Sequence, residues 1–105
     1  MNEGNWHKVA TRAEIMEEEP IRVVVGDTPI ALYEVEGELY ATHDVCTHAE
    51  ASLSEGIQEG DTIECPMHSG CFNIRTGEAV GPPVTEDIKT YQVRLEGDDV
   101  LVRVD

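Results

Sequence analysis

The segment Cys65-Pro66-Met67-His68-Ser69-Gly70-Cys71 (CPMHSGC) holds two of the three cysteines of the chain and one of its four histidines. A shorter segment, Cys46-Thr47-His48, precedes it, and sixteen residues separate His48 from Cys65. The two segments read Cys-x-His and Cys-x-x-His, so each offers one thiolate and one imidazole. Proteins use these two side chains to bind zinc and iron–sulfur clusters. The spacing therefore predicts a metal centre held by two loops.

Two kinds of metal centre are compatible with two cysteines and two histidines. A single zinc ion could take all four in a tetrahedron, although zinc fingers usually keep like ligands together in each half-site. In one class of [2Fe–2S] centre, two thiolates bind one iron and two imidazoles bind the other. Mixed half-sites favour this second arrangement, because a thiolate and an imidazole on one short loop can reach neighbouring irons. A structural zinc-binding module remains open as the alternative.

The residues around these two segments predict an all-β scaffold. Alternating or β-branched apolar runs indicate strands at 21–25, 29–35, 38–43, 89–95 and 100–104. The pairs Gly26-Asp27, Glu36-Gly37 and Gly97-Asp98 separate consecutive runs and are typical of hairpin turns. The chain is thus expected to form antiparallel hairpins before and after its cysteine-containing part.

The remaining segments predict little regular structure. Thr11-Arg-Ala-Glu14 has the form of a capping box, so we expect a helical turn there that extends to about Glu18. Trp6 and His7 are expected to cover a sheet edge. Glycines and prolines interrupt the β-pattern from about residue 44 to residue 83. We therefore predict one domain, residues 1–105, with a loop-rich cluster-binding subdomain inserted at about 44–83.

The charge of the chain excludes some classes of partner. Seven Lys and Arg against 22 Asp and Glu give a net charge of −15, which argues against nucleic acid and against an anionic membrane surface. The sequence shows no apolar run of membrane-spanning length and no signal-peptide pattern. An odd number of cysteines fits a secreted disulfide framework poorly, so we expect a cytoplasmic protein. A partner with a basic surface fits this charge best.

The two segments also carry a family resemblance. CTHAEASLSEG (46–56) and CPMHSGCFNIRTGEAVGPP (65–83) resemble the two cluster loops of Rieske proteins. IALYEVEGELYATHDVCTH (30–48) and PVTEDIKTYQVRLE (83–96) resemble the small Rieske ferredoxins of bacterial aromatic-ring dioxygenase systems, the naphthalene type in particular. The resemblance follows the whole chain in order: hairpins, loop one, a short strand pair, loop two, a proline-containing loop and closing strands.

This resemblance implies a fold, a cofactor and a role. The fold would be an antiparallel β-sandwich of stacked sheets that carries one [2Fe–2S] cluster. Cys46 and Cys65 would bind the inner iron, and His48 and His68 would bind the outer iron with their rings towards solvent. The protein would be a monomeric one-electron carrier, not an enzyme, between an NAD(P)H-dependent ferredoxin reductase and a terminal oxygenase. A Rieske-like small subunit of an assimilatory nitrite reductase is the related alternative.

Departures from the respiratory-chain Rieske pattern suggest a low reduction potential. Those proteins carry an extra cysteine in each loop, joined as a disulfide, where this chain has Ala51 and Met67. They also have a serine and a tyrosine whose hydroxyls donate hydrogen bonds at the cluster, and the matching positions here are Gly70 and Phe72. Fewer hydrogen bonds to sulfur favour the oxidised cluster.

The other candidate residues receive structural expectations. Cys71 is expected to be a small buried side chain, since free cysteine is among the most buried residue types. His43 is expected to end a strand and not to bind metal. Pro82-Pro83 would shield the cluster, as the equivalent loop does in the family. The candidate acidic residues around the cluster loops that would steer a basic partner are Asp44, Glu50 and Glu78.

Overall fold

The computed structural model describes residues 6–46, 51–67, 70–81 and 86–104, and these contain ten strands and two short 3-10 helices. The strands are β1 (Trp6–Thr11), β2 (Ile21–Val25), β3 (Thr28–Val35), β4 (Glu38–His43), β5 (Ile57–Glu59), β6 (Thr62–Glu64), β7 (Cys71–Asn73), β8 (Ala79–Gly81), β9 (Thr90–Glu96) and β10 (Asp99–Arg103). The helices are η1 (Arg12–Glu14) and η2 (Leu53–Glu55). Within these described ranges, no helix has the length and apolar character that a membrane crossing requires.

The strands form two antiparallel sheets. The larger has the order β1-β10-β9-β4-β3-β2, and the smaller has the order β5-β6-β7-β8. The larger sheet consists of two three-stranded halves, joined by a short junction in which Ala41 pairs with Tyr91, Thr42 pairs with Thr90, and the amide of His43 donates to the carbonyl of Lys89. This short junction lets the halves fold towards each other, and the two edge strands β1 and β2 come into contact. The prediction of stacked antiparallel sheets is confirmed.

Strand β3 is the central strand of the molecule because it is buried on both faces. Ile30 and Leu32 on one face belong to an apolar core between the two halves of the large sheet, the sandwich core. Ala31 and Tyr33 on the other face belong to a second core, shared with the small sheet, which we call the loop-side core. Successive side chains of a strand point to opposite faces. A strand buried on both faces therefore reads as a continuous apolar run, as Pro29–Tyr33 does.

The two cores divide the buried side chains by layer. The sandwich core comprises Ala10, Ile15, Ile30, Leu32, Ala41, Val100 and Val102. The loop-side core comprises Ala31, Tyr33, Val35, Cys46, Leu53, Ile63, Cys65, Phe72, Ile74 and Ile88. Each large apolar side chain buried in this way contributes about 1.5–3 kcal/mol to folding. Because Cys46 and Cys65 belong to the loop-side core, the two cysteines of the predicted half-sites lie on the side of β3 that faces the small sheet.

The pattern-based strand predictions agree with β2, β3, β4, β9 and β10 to within one residue at each end, but two N-terminal expectations are wrong. Trp6 and His7 do not merely cover a sheet edge: they form the edge strand, pairing with Arg103 and Val102. The helical turn ends after Glu14 and does not reach Glu18. Buried Ile15 is already extended there, and an isolated parallel bridge places Glu17 beside Glu34 of β3, so packing against β3 overrides the local helical signal.

Candidate metal centre

Each of the two cysteine-containing loops is closed by a backbone hydrogen bond of the same type. The amide of Cys46 donates to the carbonyl of Ala51 at 3.0 Å, and the amide of Cys65 donates to the carbonyl of Gly70 at 2.7 Å. Four residues lie between the joined residues in each case, 47–50 in loop one (Cys46–Ala51) and 66–69 in loop two (Cys65–Gly70). Each loop therefore presents its cysteine at the same first position, and the predicted histidine follows inside the loop.

Paired residues flank both loops, but the pairing beside loop two is longer than the pairing beside loop one. Loop two closes the β6–β7 hairpin, in which all three residues of β6 pair with all three of β7, ending at Glu64 opposite Cys71. Loop one is flanked by a single isolated bridge, between Val45 and Ser52, after which the chain turns into η2. Loop two thus has a regular ladder beneath it, whereas loop one needs other contacts to hold its ends together.

Both cysteines are buried in the loop-side core. Cys46 is 4% exposed and Cys65 is 1% exposed, with Leu53 and Phe72 among their buried neighbours. An apolar, water-excluding environment around thiolate ligands is a feature that tunes metal sites. Two thiols delivered by matched loops into one such core form a donor set that suits the sulfur-ligated iron of a [2Fe–2S] cluster. His48 and His68, the predicted imidazole ligands, lie outside the described residues.

The prediction that Asp44 steers a partner is wrong, because its side chain is fully buried. Oδ1 of Asp44 accepts a hydrogen bond from the amide of Ser54 at 2.9 Å, and Oδ2 lies 3.5 Å from Nε of Arg22. A carboxylate in this position fixes the chain locally and does not present a charge to a partner. Glu50 falls outside the described residues.

Glu78 is exposed as expected, but it lies away from loop two. Its carbonyl accepts from the amide of Asn73 at 2.8 Å, and Asn73 is the residue of β7 farthest from the loop. The Glu17-Glu18-Glu19 run is exposed too, and the bridge from Glu17 to Glu34 places it near the end of β3, which is the end remote from His43 and loop one. Glu78 and the Glu17-Glu18-Glu19 run thus both lie away from the loops.

The third cysteine is only partly buried, so the expectation of a small buried side chain is met only in part. Cys71 begins β7, directly after loop two. Burial raises the pKa of its thiol, and the negative charges of Glu64 and Glu59 raise it further. A thiol with a raised pKa stays protonated at neutral pH and is a poor ligand and nucleophile. That Cys71 has no part in the metal centre stays a prediction.

The remaining expectations concern residues next to the ligands. His43 does end β4, and its Nδ1 accepts a hydrogen bond from the amide of Val45 at 3.2 Å, so the ring supports the entry into loop one. Phe72 is fully buried in the loop-side core, where an apolar ring stands in place of a hydroxyl. Ala51 packs against that core, whereas Met67 is 60% exposed. Pro82 and Pro83 lie outside the described residues.

Sequence patterns missed one residue that holds the two loop segments close together. Gly56 ends η2, just after loop one, and a side chain there would overlap the carbonyl oxygen of Glu64, the residue before Cys65. Its φ of −83° is open to any residue, so the glycine serves close approach and not an unusual backbone conformation. Nothing in the local sequence distinguishes this glycine from an ordinary helix end.

Comparison with known proteins gives the same picture along the whole chain. The protein-family model of the Rieske [2Fe-2S] domain matches residues 5–92 of this chain. The ferredoxin component of the naphthalene 1,2-dioxygenase/salicylate 5-hydroxylase systems of Ralstonia sp is 46% identical over 101 residues, which cover 96% of this chain and 97% of that protein. The ferredoxin of Sphingomonas yanoikuyae B1 superposes with a TM-score of 0.92 at 37% identity, covering 96% of this chain and all of that one.

Two further structures bear on partners and alternatives. A chain in the complex of reduced oxygenase and oxidized ferredoxin of carbazole 1,9a-dioxygenase is 40% identical, with a TM-score of 0.89, and the match covers 96% of this chain and 94% of that one. A structure described as a nitrite reductase NADPH (small subunit) oxidoreductase protein is 19% identical with a TM-score of 0.80, covering 95% of this chain and 99% of that one. The second likeness shows the fold alone.

Proposed function

Because the chain belongs to the Rieske [2Fe-2S] domain family, we propose that it is a one-electron carrier between an NAD(P)H-dependent reductase and a terminal oxygenase that attacks aromatic rings. The observation that carries this proposal is the 46% identity to a dioxygenase ferredoxin component along 97% of that component's length. The cofactor of the family is a [2Fe–2S] cluster, and the ferredoxin components are electron-transfer proteins and not catalysts.

The ligand assignment is part of the same proposal. Cys46 and Cys65 bind one iron, and His48 and His68 bind the other. The equal closure of the two loops and the burial of both cysteines in one core support it. When bound, such a cluster supplies one-electron transfer, with a potential set by its net charge, by hydrogen bonds to sulfur and by exposure to solvent.

The chain itself supplies rigidity, exclusion of water and a place to dock. The loop-side core keeps water from the two cysteines, while the β6–β7 ladder fixes loop two. Electrons are proposed to enter and leave on the histidine side of the loops, which both partners would occupy in turn. A carrier must release each partner, so its interfaces belong to the small and transient class. We place the carrier in the cytoplasm as a monomer.

Metal analysis and one substitution test the cofactor. The protein produced with ample iron should contain two iron and two sulfide per chain and be red-brown, whereas a zinc-binding module would be colourless. His68→Ala should lose or degrade the cluster. His7→Ala is the matched control, because His7 is an exposed residue of the edge strand β1, and it should keep the iron. One zinc and no iron in the wild type, or an unchanged spectrum in His68→Ala, would contradict the assignment.

Electron transfer to an oxygenase tests the role. The protein is reduced with one electron and mixed with the oxidised terminal oxygenase of the naphthalene 1,2-dioxygenase system, and its reoxidation is followed by absorbance. Bovine serum albumin in place of the oxygenase controls for reoxidation by traces of oxygen. We expect fast reoxidation that depends on oxygenase concentration. Failure with the naphthalene, biphenyl and carbazole oxygenases alike would overturn the proposal.

A further inference from the structure

Loop one ends without the strand ladder that supports loop two. Beneath loop two, the β6–β7 hairpin continues for three residue pairs. Beneath loop one, the Val45–Ser52 bridge is followed at once by η2, whose N-cap residue, Ser52, makes no side-chain capping bond. The first amides of a helix need acceptors from elsewhere in such a case. The structure therefore requires another group to join the entry and the exit of loop one.

Asp44 is that group. Its amide donates to the carbonyl of Pro29 on β3 at 3.0 Å, which anchors the entry of the loop to the central strand. Its carbonyl accepts from the amide of Leu53 at 2.6 Å, and Oδ1 accepts from the amide of Ser54 at 2.9 Å. Both donors lie at the start of η2. One residue thus ties the chain before Cys46 to the chain after Ala51 and caps the short helix.

The second carboxylate oxygen leaves a negative charge in the interior. Oδ2 of Asp44 is buried and accepts no hydrogen bond from any residue that the structure describes. Its nearest cation is Nε of Arg22 at 3.5 Å, but the Arg22 side chain is 54% exposed while that of Asp44 is 0% exposed. Water screens an exposed charge more than a buried one. The aspartate charge is therefore only partly offset within the protein.

The charge of Asp44 reaches the core that contains the cysteines. Tyr33 belongs to the loop-side core together with Cys46 and Cys65. Burial raises the pKa of the Tyr33 phenol far above its ordinary value, the hydrogen bond with Thr42 lowers it, and the charge of Asp44 raises it again. Asp44 also stands only two residues before Cys46, and both side chains are buried, so its charge acts on a cluster held by the two cysteines of that core.

We propose that Asp44 is a positioning residue that closes loop one and, as a buried negative charge, holds the reduction potential of the cluster low. The inference rests on the proposed function, because it presupposes the [2Fe–2S] cluster. A negative charge near the cluster opposes the addition of an electron, and net charge is one of the factors that set such potentials. Arg22 has the opposite effect on the potential and weakens that of Asp44.

Three single variants of the loaded protein test the effect of the charge on the potential. Asp44→Asn keeps the volume and an oxygen that can accept from Ser54 but removes the charge. Arg22→Gln removes the counter-charge from a half-exposed position outside the loops. Asp27→Asn, at an exposed position in the β2–β3 turn, is the control that makes the same change in formal charge without burial. Iron content, the visible spectrum and the midpoint potential are measured for each.

The expected shifts have opposite signs. Asp44→Asn keeps two irons and raises the ratio of reduced to oxidised protein on the order of tenfold at a fixed solution potential, or about 59 mV for one electron. A unit charge at about 10 Å in an effective dielectric of about 20 has an effect of this size. Arg22→Gln shifts the midpoint to lower potential, and Asp27→Asn shifts it much less than Asp44→Asn does.

Asp44→Ala tests the closure of the loop, because it also removes the acceptor for Ser54. We expect it to lose its cluster several times faster than Asp44→Asn in the presence of a chelator. Equal rates of loss would overturn the positioning role. A midpoint potential of Asp44→Asn equal to that of Asp27→Asn would overturn the charge effect. An unchanged or raised midpoint potential of Arg22→Gln would overturn it too, and this second test remains available if Asp44→Asn fails to fold.

Failure of the proposed function would be visible separately. A wild-type protein with zinc and no iron would fail in metal analysis, before any variant is compared. A loaded protein that passes no electron to an oxygenase would still show the midpoint shifts.

Discussion

Replacing Gly56 by Ala should force apart the two segments that carry the cysteines. Gly56 has φ −83° and ψ −163°, values open to alanine, so the substitution brings no backbone strain of its own. The added Cβ would overlap the carbonyl oxygen of Glu64 and would lie 3.1 Å from the carbonyl carbon of Glu64 and 3.2 Å from the carbonyl oxygen of Leu53. All three neighbours are backbone atoms, which cannot rotate away as a side chain could.

The size of the effect follows from that overlap. Restoring an ordinary contact requires the η2 end and β6 to separate by about 1.5–2 Å, because non-bonded heavy atoms rest about 3.5–4.0 Å apart. Overpacking of this kind costs about 1–3 kcal/mol, and for a domain of about 100 residues each kcal/mol lowers Tm by about 4–8 °C. Glu64 directly precedes Cys65, so the displacement also reaches the start of loop two. We therefore expect Gly56→Ala to lower Tm by at least about 4 °C and to hasten loss of the visible absorbance.

Gly60→Ala is the matched control in the adjoining β5–β6 hairpin. Gly60 has φ +62°, and nothing lies within 4 Å of the position of its Cβ. Alanine there costs about 1–2 kcal/mol for the left-handed conformation, without any contact with the cysteine segments. Thermal unfolding by circular dichroism and loss of visible absorbance are recorded together for both variants. Equal rates of cluster loss in the two variants, or a Tm of Gly56→Ala equal to that of the wild type, would refute the reasoning.

Three further predictions concern pH, potential and charge. Burial raises the pKa of Tyr33, so the neutral phenol makes its whole contribution to the free energy of unfolding below about pH 10. Above about pH 10 this contribution falls by up to about 1.4 kcal/mol per pH unit. Tyr33→Phe removes that slope. Urea titrations should therefore show that the wild type loses more stability between about pH 8 and about pH 10.5 than the variant does, and equal losses would contradict this. The midpoint potential should lie near −150 mV, at the low end of the Rieske range, because Gly70 and Phe72 offer no hydroxyl; a voltammetric value above zero would contradict this. The rate of reduction by the reductase should fall as salt rises, and Glu50→Gln should lower it while Glu78→Gln does not; stopped-flow rates that are flat with salt would leave the net charge as a feature of solubility only.

The ligand loops and most of the large sheet could be predicted from the sequence because their signals are local. Cys-x-His and Cys-x-x-His place four ligands on two short loops whatever lies between them. Hairpin strands such as β3 and β4 can be predicted from their composition and from the turn pair Glu36-Gly37, where Gly37 has φ +85°. The ligand roles of Cys46, His48, Cys65 and His68, and the single domain with a cluster-binding subdomain at 44–83, stay predictions.

Tertiary contacts decided the features that no local pattern carries. Asp44 reads as one more acidic residue of a chain with a net charge of −15, and only the fold buries it against Ser54 and Arg22. Gly56 reads as a helix end until the β5–β6 hairpin brings Glu64, eight residues later, against it. β1 was missed because its pairing with β10 joins opposite ends of the chain. Composition and turn residues report on neighbours in sequence, whereas burial and close approach depend on residues that only folding brings together.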